Sequence, residues 1–137
     1  MAMRSRVIAV DPGRQKCGIA VVDAEGEVLD RTVVPTAEMP QRVKAWAQEH
    51  AAGQVIVGNG TTAAAASAAL KAADPSLEPV LVDEHRSTEA ARRRYFAENP
   101  PRGWRRLIPT SLQVPPRPYD DYVAVILAER YLRRGES

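Results

Sequence analysis

The sequence predicts an α/β domain: a mixed five-stranded sheet that opens as an antiparallel meander, continues with parallel strands and carries helices on both faces. Two patterns and one bulk property predict it. Three short apolar runs follow one another before residue 35 with only turn residues between them. From residue 40 onward, helical and strand patterns alternate as α-β-α-β-α. A chain of 137 residues, 45% hydrophobic and 26% charged, has the size and composition of one compact domain with one core, spanning 1–137.

Residues 6–10 (RVIAV) are β-rich and apolar and end in Asp11-Pro12-Gly13, which predicts a buried strand leaving through a turn, with Asp11 as its last residue. After polar residues 14–16, the run 17–22 predicts a second strand, and 23–26 turn the chain into a third at 28–34. Pro40 precedes a helical pattern, with Val43, Trp46 and Ala47 at i, i+3 and i+4, that ends near Gly53. Strand 54–57 leaves through Gly58-Asn59-Gly60. Thr61 and Thr62 are then the candidate cap of an Ala-rich helix that Asp74-Pro75 breaks. Residues 80–82 form the last strand and deliver Asp83 and Glu84 at its end, after which Ser87 or Thr88 caps a helix to about residue 98. Residues 99–118 contain six prolines and few apolar positions, which predicts a long surface loop of the kind that is usually functional or mobile. An amphipathic helix over about 120–132 closes the domain.

Composition narrows the function. No run approaches the length needed to span a bilayer, and polar residues precede the first apolar segment, so a cytoplasmic protein with no membrane partner is expected. Cys17 is the only cysteine, so a disulfide within the chain and a CxxC metal site are both excluded, and any metal must be held by oxygen or histidine. The net charge of +2 hides an asymmetry. Residues 86–134 hold 11 arginines against 5 acids, and of the 19 basic residues 16 are arginine, the side chain suited to bidentate phosphate contact. Codon bias in an Ala-rich chain explains the arginine count equally well.

Three acidic positions share one setting, each at a strand end or a helix start: Asp11, Glu84 beside Asp83, and Asp120 beside Asp121. In an open sheet the strand ends collect on one edge, so these carboxylates can cluster there. Clustered carboxylates repel and call for a cation. Hard oxygen donors select Mg²⁺ or Mn²⁺, and two such ions suit phosphodiester hydrolysis. Each acid also has a plain reading: Asp11-Pro12-Gly13 as an ordinary turn, Asp120 and Asp121 as helix caps, and Asp83 and Glu84 as solvated residues at a strand exit.

The segment DPGRQKCGIAVVD (11–23) resembles the first-strand motif of the YqgF/RuvX family, Asp-x-Gly-x-x-x-x-Gly-x-Ala, at Asp11, Gly13, Gly18 and Ala20. The Val57-Gly58 strand exit, DEHRST (83–88) and DDYVAVILAERYL (120–132) resemble three further motifs of that family, in family order and across nearly the whole chain. The resemblance implies an RNase H-like domain, kin to Holliday junction resolvases and to nucleases that mature ribosomal RNA precursors. It implies Asp11, Glu84 and Asp120 as catalytic residues holding two Mg²⁺ or Mn²⁺ ions, with Asp121 as the second choice for the last ligand. The chain departs from the family at Gly58-Asn59-Gly60-Thr61, where the family continues Val-Gly-x-Pro, and at His85, where the family has arginine, with Arg86 displaced by one position.

Candidate nucleic-acid contacts are Arg14 and Lys16 in the first turn, Arg86, one or two of Arg92 to Arg94 with Arg93 the choice, and Trp104 with Arg105 in the loop. Solvated charge is the alternative for the arginines and for Lys16, and for Trp104 a ring tucked under the loop as a local anchor. His85 stays outside the catalytic set. The expected partner is RNA or branched or single-stranded DNA, and junction cleavage at paired strands calls for a two-fold homodimer. A non-catalytic nucleic-acid-binding or ribosome-assembly factor on the same fold is the alternative function. A sugar-kinase or actin-like ATPase fragment is a third, disfavoured because those folds close two such domains over a nucleotide.

Overall fold

The computed structural model describes residues 6–85, 87–109, 113, 115 and 118–135, with the last two side chains left aside. The strands are β1 (Val7–Asp11), β2 (Lys16–Val22), β3 (Val28–Pro35), β4 (Gln54–Gly58) and β5 (Val80–Val82). The α-helices are α1 (Met39–Glu49), α2 (Ala63–Ala73), α3 (Ser87–Glu98) and α4 (Asp120–Gly135). The strands form one sheet in the order β3-β2-β1-β4-β5. β1, β2 and β3 pair antiparallel, and β4 and β5 add parallel strands on the far side of β1. The expected meander and parallel extension are both present. β1 lies at the centre because its apolar residues are buried on both sides, which an edge strand does not allow.

The alternation of side chains along each strand divides the core into two layers. Ile8, Val10, Ile19, Val21, Val55 and Val57 face α1 and α2, meeting Met39, Val43, Trp46 and Leu70. Val7, Ala9, Ala20, Val22 and Ile56 face α3 and α4, meeting Tyr95, Tyr122, Val125 and Leu127. Five of the six residues from Tyr122 to Leu127 are buried, so α4 is a core helix between the sheet and α3. Among the described residues no helix is long and apolar enough to cross a membrane.

Three local expectations shift. α1 starts at Met39, which puts Pro40 inside its first turn, where a missing N–H costs nothing, and Ala51 at φ +50° turns the chain after Glu49. Thr62 precedes α2 without a capping hydrogen bond, because its hydroxyl donates instead to the Pro12 carbonyl at 3.0 Å. The loop after α3 is not wholly irregular, since Gly103–Leu107 form a 3₁₀ turn.

Candidate active site

Side-chain alternation carries β1 from Val7 and Ala9 to Asp11, so the Asp11 carboxyl leaves the strand on the α4 side of the sheet. The residue directly opposite Asp11 on β2 is Gly18. A Cβ at position 18 would overlap the Asp120 carbonyl, so glycine is what allows the first turn of α4 to rest on the strand pair. Asp120, the first residue of α4, is thereby set beside Asp11. The positive end of the helix dipole favours a carboxylate at that place.

Glu84 arrives from the other flank. It lies two residues beyond Val82, whose partner on β4 is Gly58. A Cβ on Gly58 would stand 3.0 Å from Glu84 Oε2 and 3.1 Å from Leu127 Cδ1, and one on Gly60 would collide with Glu84 Oε1. The absence of side chains at 58 and 60 makes the space in which the Glu84 carboxylate lies. Backbone bonds hold it there. The Glu84 amide donates to Asn59 Oδ1 at 3.3 Å, the Asn59 amide donates to the Val82 carbonyl at 2.9 Å, and the Ser87 hydroxyl donates to the Glu84 carbonyl at 2.7 Å. With Thr62 bonded to Pro12, the exits of β1, β4 and β5 form one braced edge. α4 spans it, from Asp120 over Gly18, past Leu127 over Gly58, to Arg130, whose guanidinium donates to the His85 carbonyl.

This arrangement acts on Asp11 electrostatically. Burial, followed by the charges of Asp120 and Glu84 and a hydrogen bond with the Asp120 carboxyl, pushes the Asp11 carboxyl from 3.8 up to about 7. Lys16 Nζ stands 3.6 Å from Asp120 Oδ2 and supplies a nearby positive charge. The donor set is all carboxylate, and it withholds ionisation from its central member, which is the deficit a hard divalent cation relieves. As they stand, no three carboxylate, imidazole or thiol groups among the described residues surround one ion position. The donors fit such an ion in kind, and Glu84 has the rotatable bonds to approach it.

Asp121 points elsewhere. Its side chain is 7% exposed and meets Arg31 Nε at 3.7 Å, so the structure separates it from the group formed by Asp11, Glu84 and Asp120. Arg31 lies 4.2 Å from the Tyr122 ring centroid, donates to the Tyr122 hydroxyl at 3.1 Å and stands 3.6 Å from Glu98. Asp83 accepts from the His85 amide at 2.9 Å, the role of a turn residue.

Among the basic candidates, Lys16 is at the carboxylates and Arg14 is exposed two residues before it. Arg93 is exposed on α3, whereas Arg94 is committed to Glu98 and Glu129. Arg86 lies outside the described residues. Trp104 is 69% exposed, so its ring is not tucked under the loop, and the Arg105 guanidinium lies 5.8 Å from its centroid. Sequence reasoning missed Asn59, Thr62, Arg31 and Arg130. The Gly58-Asn59-Gly60 departure was the visible signal for Asn59, Thr62 was read only as a helix cap, and nothing local marks Arg31 or Arg130.

No family model matches the chain, and no curated protein matches it. Two solved structures align with nearly all of it. Thermus thermophilus RuvC aligns over 95% of this chain and 96% of its own, with a TM-score of 0.60 and 19% identity. T. thermophilus RuvC in complex with a Holliday junction substrate aligns over 98% of each chain, with a TM-score of 0.61 and 20% identity. The chain therefore has the RNase H-like fold, the mixed five-stranded sheet flanked by helices that RuvC shares.

Proposed function

We propose that this protein is a metal-dependent nuclease that hydrolyses phosphodiester bonds, with Asp11, Glu84 and Asp120 as the catalytic carboxylates. The observation that carries this reading is the placement of Asp11 at the end of β1, Asp120 at the start of α4 and Glu84 beyond β5 on one edge of the sheet, where burial and the two other carboxylates push the Asp11 carboxyl up to about 7. Asp121 is left out of the ligand set because it is paired with Arg31. When bound, Mg²⁺ or Mn²⁺, one ion or two, would supply Lewis acidity at phosphate oxygens and a water of lowered pKa. The side chains do the rest. Asp120 is held on the helix terminus beside Lys16, Glu84 is held by the braced loop, and Lys16 and Arg14 offer cations to the phosphates of the strand being cut. Arg86, Arg93, Trp104 and Arg105 are proposed as further contacts with that strand.

The substrate reading rests on likeness. The RuvC fold and the YqgF/RuvX resemblance support branched DNA or a ribosomal RNA precursor as the nucleic acid, a cytoplasmic setting and a two-fold dimer for paired cuts. The test is a cleavage panel with Mg²⁺ or Mn²⁺ on a four-way junction, single-stranded DNA and a structured ribosomal RNA leader. Asp11→Asn should abolish every cut while binding survives, and retained cleavage by that variant would overturn the assignment. The alternative is a non-catalytic nucleic-acid-binding or ribosome-assembly factor on the same fold. That alternative expects salt-sensitive nucleic-acid binding with no calorimetric signal for the ion.

A further inference from the structure

Between α3 and α4, residues 99–119 contain four arginines, at 102, 105, 106 and 117, and no acid. The 3₁₀ turn of this segment, Gly103–Leu107, carries Trp104 at 69% and Leu107 at 81% exposure, beside the exposed Arg102, Arg105 and Arg106. The turn is braced. Gln113 Nε2 donates to the Arg105 carbonyl at 2.8 Å and to the Ile108 carbonyl at 3.0 Å, and Gly103 takes the φ of +63° that starts the turn. An indole held out on a fixed backbone gives up apolar burial that folding would otherwise gain.

The chemistry around the ring selects its occupant. Three exposed guanidinium groups in a segment that contains no acid repel a basic partner and suit a phosphate backbone, and an indole beside them suits the π-face of a base. A base inside a continuous duplex already has both faces covered by its neighbours, so only an unstacked base can use the ring. We propose that Trp104 is a stacking platform for an unpaired base, with Arg102, Arg105 and Arg106 on the flanking phosphates. The protein therefore engages strands carrying unstacked bases in preference to continuous duplex. This rests on the reading of the chain as a nucleic-acid enzyme and adds the substrate class to it.

The chain has two tryptophans, and Trp46 is 6% exposed, so quenching by a bound oligonucleotide reports on Trp104. The 137-residue chain in EDTA, which removes divalent ions, is titrated with a single-stranded oligonucleotide and with the duplex of the same sequence. The single strand is expected to quench the emission, and Trp104→Ala to weaken single-strand binding about tenfold, with most of the loss restored in Trp104→Phe. Duplex affinity should change less than about twofold. Replacing the three arginines with glutamine should lower the salt slope for the single strand by about 2. Wild-type single-strand affinity in Trp104→Ala, equal losses for single strand and duplex, or Trp104-dependent self-association without nucleic acid would each overturn the proposal. Selective binding without cleavage under Mg²⁺ would retire the nuclease and leave the platform; cleavage with unaltered Trp104→Ala binding would retire the platform alone.

Discussion

Replacing Asp11 with asparagine keeps the shape of the side chain and removes one charge from a cluster of three. In the folded chain the Asp11 carboxyl sits at about 7 against 3.8 in an unconstrained chain. A folded pKa above the unfolded one means that the folded state binds the proton more tightly. Well below 3.8 both states are protonated and nothing is lost; between 3.8 and 7 the unfolded chain ionises while the folded one keeps its proton, so stability falls with rising pH until the loss levels off above 7. A shift of about three units corresponds to a ceiling of about 4 kcal/mol at pH 8. The asparagine side chain never ionises, but it gives up the proton shared with Asp120, so a gain of about 2–3 kcal/mol is expected for the metal-free protein. For a domain of this size that is roughly 6–12 °C in Tm. Calorimetric melts in EDTA at pH 8 and pH 4.5 measure it: Asp11→Asn should melt well above the wild type at pH 8 and close to it at pH 4.5. Mg²⁺ should narrow or reverse the difference, since an ion at a hundred times its Kd stabilises the wild type by about 2.7 kcal/mol. A variant less stable than the wild type at pH 8, or a gain of equal size at both pH values, refutes the electrostatic coupling of these carboxylates.

Three further outcomes follow from the packing around the site. Gly18→Ala places a methyl group in the Asp120 backbone, so α4 must move; a loss of about 2–3 kcal/mol in a urea titration is expected, and an unchanged midpoint would show that the helix does not rest there. Gly60→Ala displaces the Glu84 carboxylate instead of a backbone, so the expected result is a drop in cleavage of tenfold or more with the melting temperature within a few degrees of the wild type. Arg31→Met strands the buried Asp121 carboxylate and should cost about 3 kcal/mol, most of it recovered in the double variant with Asp121→Asn; additive losses in that cycle would mean the pair is not coupled.

Much of the fold was legible because its signals are local. Apolar runs of strand length, helical periodicity and the breaks at Asp11-Pro12-Gly13 and Asp74-Pro75 suffice to predict the succession of elements and the parallel extension. The departures come mainly from contacts that no local pattern carries. The hydroxyl of Thr62, the natural cap of α2, is drawn away by a carbonyl 50 residues distant, and an alanine at positive φ turns the chain after Glu49, ahead of the glycine at 53 that marked the stop. The 3₁₀ turn inside the loop depends on Gln113 reaching back to two carbonyls, which no propensity at 103–107 announces.

The candidate site divides in the same way. Asp11, Glu84 and Asp120 were visible because each stands at a break in a pattern, and the likeness of four ordered motifs joined them. The motif likeness ranked Asp120 ahead of Asp121, but the contacts of the two side chains depend on which way α4 is rotated when it docks, with Gly18 under the Asp120 backbone and Arg31 paired with Asp121 on two different strands. The same holds for Gly58-Asn59-Gly60, which differs from the resembled motif yet makes room for Glu84 and bonds its backbone, and for Trp104, whose exposure separates a surface ring from an anchor. The sequence by itself determined the element order, the strand ends that carry the acids and the basic character of the second half. Tertiary structure alone decided which acids meet, what each is paired with and how far a carboxyl pKa moves, because those depend on distances between residues far apart in the chain and on the water that packing removes.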